Sequence, residues 1–142
     1  MIDLTDKVAI VTGGASGIGT GIARVLANQG ATVAVLDVNS DSAIEIASEL
    51  STRTSGSIGL TADVTDRHSI DAAVKLILSE FNKIDIVVNN AGVIGASGWW
   101  ERHTPSNEDW DAVFSVNLRG AVNVSAAVDD HMKERRYGKI IN

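Results

Sequence analysis

The stretch "KVAIVTGGASGIG", residues 7–19, decides how the rest of the chain reads. Its first half, Val8 to Thr12, is a short apolar and β-branched run ending at a glycine, the pattern of a strand covered on both faces. Its second half, "TGGASGIG" at 12–19, has Gly13, Gly17 and Gly19 in the spacing G-x-x-x-G-x-G. Ile18, Ile22, Val25 and Leu26 then fall at i, i+4, i+7 and i+8, which predicts an amphipathic helix with those residues inward. Strand, glycine turn and helix in this order suit a phosphate. Glycine permits a left-handed backbone and close approach, and a helix N-terminus adds unpaired N–H donors and partial positive charge. The same turn could be a plain tight reversal, but the flanking strand and helix favour the cradle. No Lys-Ser/Thr follows the glycines, so a Walker A loop is disfavoured.

Further along, "ATVAVLDV" (31–38), "SIGLTADV" (57–64) and "IDIVVNNAG" (84–92) repeat the strand pattern. Ile70, Val74, Ile77, Leu78 and Phe81 mark a helix between the last two. Ser42-Ala43-Ile44-Glu45 has the form of a capping box that would start another. The turn-rich segment "VIGASGWWERHTPSNEDW" (93–110) follows, and Pro105, or Ser106 with Asp109, opens a long helix. Its apolar stripe runs Trp110, Val113, Phe114, Asn117, Gly120, Ala121, Val124, Val128. Lys133, Arg135 and Arg136 lie at its negative end. After Gly138, Lys139-Ile140-Ile141 reads as the opening of a buried fifth strand. Alternating strand and helix predict one α/β domain over residues 1–142, a doubly wound (Rossmann-type) parallel sheet that stops just after its fifth strand begins.

Bulk properties exclude several classes. Apolar residues make up 44% and charged residues 21%, ordinary for a globular chain. A net charge of −6 argues against nucleic acid or an anionic membrane as partner, though backbone amides can hold phosphate without any basic side chain. No apolar run approaches the ~20 residues of a membrane span. "MIDLTDK" does not resemble a signal peptide, and zero cysteines exclude disulfides and thiol chemistry, which fits a cytoplasmic setting. His68, His103 and His131 share no metal-ligand spacing and read as solvated, with no metal site expected.

Asp37 ends the second strand, 24 residues past Gly13. A carboxylate there accepts from both ribose hydroxyls of a dinucleotide and repels a 2′-phosphate. Val38 and Asn39 beside it, and Ala15 and Ser16 in the turn, offer no cation to that phosphate, so NAD is expected over NADP. A mere cap on the next helix is the alternative role for Asp37. Asn117 lies on an apolar stripe, where a buried amide without partners costs roughly 1–3 kcal/mol. It is therefore expected to be buried and hydrogen-bonded, either as a core amide or as part of a site.

"TGGASGIG" at 12–19, "DV" at 63–64, "NNAG" at 89–92 and "NLRG" at 117–120, in that order, resemble the classical branch of the short-chain dehydrogenase/reductase family over essentially all 142 residues. The resemblance implies that Gly13, Ser16, Gly17, Ile18 and Gly19 line the coenzyme's diphosphate and that Asp37 takes the adenosine ribose. Asp63 and Val64 would flank the adenine, and Asn90, Ala91 and Gly92 would pass beneath the coenzyme ribose. The alternative role for Asn89 and Asn90 is to tie neighbouring strands together, and both roles are compatible. Asn117 would support catalysis by bending its helix and holding a water of the proton relay. Trp99-Trp100 would lie where the family positions substrate, or cover an apolar surface or subunit contact. The resemblance also implies a small alcohol or carbonyl substrate and a homo-oligomer, often a tetramer.

The family's chemistry belongs to a Ser and a Tyr-x-x-x-Lys pair that follow the fifth strand. Tyr137 is the only tyrosine, precedes that strand, and has Ile141 four places on. The expectation is a chain that supplies the coenzyme site of an NAD-dependent oxidoreductase, is truncated relative to the family, and is inactive alone. The alternative is a non-catalytic dinucleotide-binding or interaction module complete at 142 residues. An extended-branch epimerase or dehydratase is disfavoured, because that branch carries G-x-x-G-x-x-G.

Overall fold

The computed structural model of the chain describes residues 2–52 and 56–142. Strands β1 (Val8–Thr12), β2 (Thr32–Asp37), β3 (Ile58–Thr61), β4 (Ile86–Val88) and β5 (Lys139–Ile141) pair in parallel in the order β3-β2-β1-β4-β5. The chain steps outward from β1 to β2 and β3, then crosses back to lay β4 on the other side of β1. That reversal opens a crevice at the carboxyl ends of β1 and β4, where open α/β sheets bind ligands. Helices α1 (Gly17–Asn28), α2 (Ser40–Ser51) and α3 (Arg67–Phe81) form the crossovers. A rod of α4 (Asn107–Val113), a π-helical turn (Phe114–Gly120) and α5 (Ala121–Arg135) leads into β5.

Strand side chains alternate between two cores. Ile10, Leu36 and Val87 join Ile70, Ile77, Val124 and Val128 on one face. Val11, Val33, Val35 and Val88 meet Ala23, Ala27, Ala43 and Leu50 on the other. Burying each Leu or Ile contributes about 2 kcal/mol relative to exposure. Both faces are therefore worth covering, and the strands read as unbroken apolar runs for that reason.

The helices follow the sequence pattern unevenly. In α3, Ile70, Val74 and Ile77 are buried as expected. In α1 the inward face is Gly19, Thr20, Ala23 and Ala27, while Ile18 and Val25 are exposed. Small side chains let this helix lie close against the sheet; Ile22 and Leu26 pack partly buried beside them. The start of α2 also differs: Asn39 is the N-cap, accepting from Ser42 N at 3.1 Å, and Ser42 is already inside the helix. The Ser106–Asp109 capping box on α4 is present as read. On the rod beyond it, Trp110 and Phe114 stack on each other in solvent at 53% and 55% exposure. β5 is an edge strand with Ile140 and Ile141 exposed, not a buried one.

One buried charge fastens the opposite end of the sheet. Asp85 is 1% exposed; its Oδ2 accepts from Val8 N at 2.9 Å and its Oδ1 from Arg135 Nη2 at 2.9 Å. Arg135 also donates to Ile84 O at 3.0 Å, while Ile84 N donates to His131 Nε2 at 3.2 Å. His131 is thus half-buried and engaged rather than solvated. Replacing Asp85 by Ala strands a guanidinium and an amide, and should lower the unfolding free energy by about 3 kcal/mol. Urea denaturation followed by circular dichroism measures this; an unchanged midpoint would refute it.

Candidate dinucleotide site

The crevice is built around Thr12, the last residue of β1. Its hydroxyl accepts from the amides of Asn90 and Ala91, both at 3.1 Å, and donates toward Val88 O at 3.4 Å. The Asn90 carboxamide returns the connection, its Nδ2 donating to Thr12 O at 2.9 Å and Gly13 O at 3.1 Å. The turn after β1 is thereby tied to the end of β4. Glycine is required here: Gly13 has φ +60°, and a Cβ on Gly19 would lie 2.1 Å from Gly13 O. Thr20 Oγ1 donates to Gly14 O at 3.0 Å, which holds the first turn of α1 against the loop.

The start of α1 is left free for a ligand. Ser16 is its N-cap but makes no side-chain capping bond, and no acidic residue lies in the first turn. The first amides of an α-helix have no carbonyl partner within it. Ser16, Gly17 and Ile18 are exposed around these donors, with Gly17 at φ +51° and open space where a Cβ would be. Asp37 sits across the crevice at the end of β2, half-buried. Its Oδ2 accepts from Ala15 N at 3.1 Å and its Oδ1 from Asn39 N at 3.0 Å, so it braces the glycine turn.

A cleft of about 430 Å³ brings together Gly13, Asp37, Asp63, Val64, Ala91 and Gly92. Val38, Ala62, Thr65, Val93 and Val116 complete its wall, and none of these five follows from the glycine pattern. Thr65 donates from N and Oγ1 to Asp63 Oδ1 at 2.8 and 2.7 Å, steadying that carboxylate. Ser16, Gly17, Ile18, Gly19 and Asn90 frame the turn rather than line the cleft. A groove of similar size, about 450 Å³, lies between α2 and α3, lined by Ile44, Ile58, Leu60 and Leu76 among others. Volume alone does not mark the site.

Asn117 corrects one expectation. It is exposed, not buried, and sits in the middle of the π-helical turn. Its Nδ2 donates to Val93 O at 2.9 Å and its Oδ1 accepts from Val93 N at 2.8 Å, so it does find full partners. Asn89 ties β4 to its neighbours, donating to Asn142 Oδ1 at 2.8 Å and Ser125 Oγ at 3.3 Å. Trp99 and Trp100 lie on a short 3₁₀ turn, edge to face and partly exposed.

Beside the cleft, Asp109 is 4% exposed and accepts from Ala96 N, Ser106 N, and the Nε and Nη2 of Arg102. The Arg102 guanidinium, followed by the Ser106 amide, holds its carboxyl well below the usual carboxylate range. The sequence showed Asp109 only as a helix cap; Arg102, seven residues away, carried no signal.

Comparison with known proteins agrees with this geometry. The family profile described as short chain dehydrogenase matches residues 7–142. The chain is 40% identical to 2,3-dihydro-2,3-dihydroxybenzoate dehydrogenase of Bacillus subtilis, an alignment covering 95% of this chain and 51% of that protein. It is 39% identical to D-threitol dehydrogenase of Mycolicibacterium smegmatis, covering 98% and 52%. A crystal structure of 3-ketoacyl-(acyl-carrier-protein) reductase from Brucella melitensis complexed with NADH superposes with a TM-score of 0.82 at 34% identity, covering 94% and 53%. The chain spans about half the length of the curated relatives it matches. The matched profile and relatives extend along nearly the whole sequence, and the chain belongs to the short-chain dehydrogenase family.

Proposed function

We propose that this chain is the coenzyme-binding part of an NAD-dependent oxidoreductase. The whole protein would move a hydride between NAD(H) and a secondary alcohol or ketone. The observation that carries this reading is the single cleft shared by Gly13, Asp37, Asp63, Val64, Ala91 and Gly92 at the reversal of strand order. The NADH complex of the similar reductase supports a nicotinamide dinucleotide as ligand.

The residues present fit such a group. Backbone amides at Ser16, Gly17, Ile18 and Gly19 would take the diphosphate, aided by the α1 dipole. Asp37 would accept from the adenosine ribose. The Asp63 carboxylate, through Oδ2, would take the adenine amine while the apolar Val38 and Val64 cover the ring. Asn90, Ala91 and Gly92 would run under the second ribose. Asn117 would act in support by fixing the backbone of Val93. When bound, the coenzyme supplies or accepts the hydride. The family's proton donor would be a Tyr assisted by Lys in a Tyr-x-x-x-Lys pair, a spacing that the 142 residues do not contain. We also propose assembly with further copies, since Trp110, Phe114, Leu118 and Val122 recur every four residues and all are exposed.

Four outcomes are expected. Isothermal titration should give tighter binding of NADH than of NADPH. Asp37→Asn should weaken NADH by about tenfold, roughly one charged hydrogen bond, and narrow the preference; preference for NADPH in the parent would reverse the coenzyme assignment. The 142-residue chain should oxidise no secondary alcohol above background, since acid/base groups supply ~10²–10⁴ in rate; clear NADH production at 340 nm would contradict this. Sedimentation should show species larger than one chain that Phe114→Glu dissociates, and a parent that sediments as a single chain would reject the assembly.

A further inference from the structure

The segment between β4 and α4 is fastened more heavily than a connection needs. It starts at Val93, whose N–H and C=O are both held by Asn117, and ends in the Ser106–Asp109 capping box. Between these ends one carboxylate gathers it. Asp109 accepts from Ala96 N at 2.8 Å and Ser106 N at 2.8 Å, and the Arg102 guanidinium grips both its oxygens. A cap requires only the Ser106 bonds. The bonds from Ala96 and Arg102 are additional, and a bidentate guanidinium on a buried carboxylate fixes direction as well as distance. Gly95 is drawn so close that a Cβ there would lie 2.8 Å from Asp109 Oδ1. The held segment matters at Val93, which lines both the 430 Å³ cleft and a neighbouring pocket of about 270 Å³ that Asp109 also lines.

We propose that Asp109, clasped by Arg102, is a positioning residue for the coenzyme: it sets the Val93 wall against which the nicotinamide nucleoside rests. This depends on the dinucleotide reading of the cleft. A dinucleotide carries one nucleoside on each side of its diphosphate. With adenosine at Asp37 and Asp63 and the diphosphate at the glycine turn, the second nucleoside must run toward Gly92 and Val93. A wall ordered beforehand spares the loss of loop freedom on binding. The clasp therefore acts on the nicotinamide half of the ligand and not on the adenosine half.

The test compares two probes, NADH and ADP, by isothermal titration of the full 142-residue chain and its Arg102→Ala variant, which keeps the capping box. Releasing the clasp should weaken NADH by about tenfold and leave ADP within about twofold. Arg102→Lys, which retains charge and one donor, should recover part of the loss. Equal weakening of both probes, or of neither, overturns the clasp while leaving the dinucleotide reading intact. A parent chain that binds neither probe overturns both. If Arg102→Ala does not fold, amide hydrogen exchange of the parent decides: NADH should slow exchange at Ala96 and Ser106 and ADP should not, and an equal effect rejects the proposal.

Discussion

The Thr12 hydroxyl accepts from the amides of Asn90 and Ala91, while the Asn90 carboxamide donates to the carbonyls of Thr12 and Gly13. These four bonds lock the carboxyl end of β1 to that of β4, across the point where strand order reverses. Parallel strands diverge beyond their last ladder bonds, and the exposed main-chain groups there need partners. The knot provides them from side chains, while Gly14 N is taken by Leu36 O and Ala15 N by Asp37, so the donors that face outward are those at the start of α1. The cleft at this position is therefore a by-product of how the sheet is closed.

The electrostatics follow from the same arrangement. The chain is acidic overall, at −6, and the cleft carries Asp37 and Asp63. A diphosphate would be repelled by side chains of that sign. Attraction would come instead from oriented N–H groups and the end of a helix, which act at short range. On the proposed reading, the two carboxylates would meet a dinucleotide where it presents hydroxyls and an amine, groups that donate. A 2′-phosphate presents only acceptors, and this contrast is the physical root of the proposed preference for the unphosphorylated coenzyme.

The sheet was legible in the sequence because strands buried on both faces leave unbroken apolar runs, and α3 because its stripe is made of large residues. α1 was misread for a related reason. Its most buried face is Gly19, Thr20, Ala23 and Ala27, which a search for Ile, Leu and Val passes over; of the stripe, Ile22 and Leu26 do pack against the core, while Ile18 and Val25 are exposed. Within the cleft, Gly13 and Asp37 were readable from motif spacing, and Asp63, Val64, Ala91 and Gly92 only through the family resemblance. Thr12 was not, since its partners lie 78 and 79 residues away and nothing local distinguishes one strand-end threonine from another. Arg102 was hidden likewise, its partner brought close by the fold of a turn-rich segment without periodicity. Asn117 was half legible: a polar residue on an apolar stripe did need partners, but the π-helical turn rotates it outward to Val93.

The central claim is that main-chain donors at the mouth of the first crossover hold the coenzyme's diphosphate. Nuclear magnetic resonance of the ¹⁵N-labelled chain during NADH addition tests it at the atoms concerned. The account predicts that the largest amide shifts fall on Gly13 and on Ser16 to Gly19, with a second group at Ala91 and Gly92. Amides of the glycine turn that stay in place at saturating NADH, with shifts elsewhere or none at all, would contradict it.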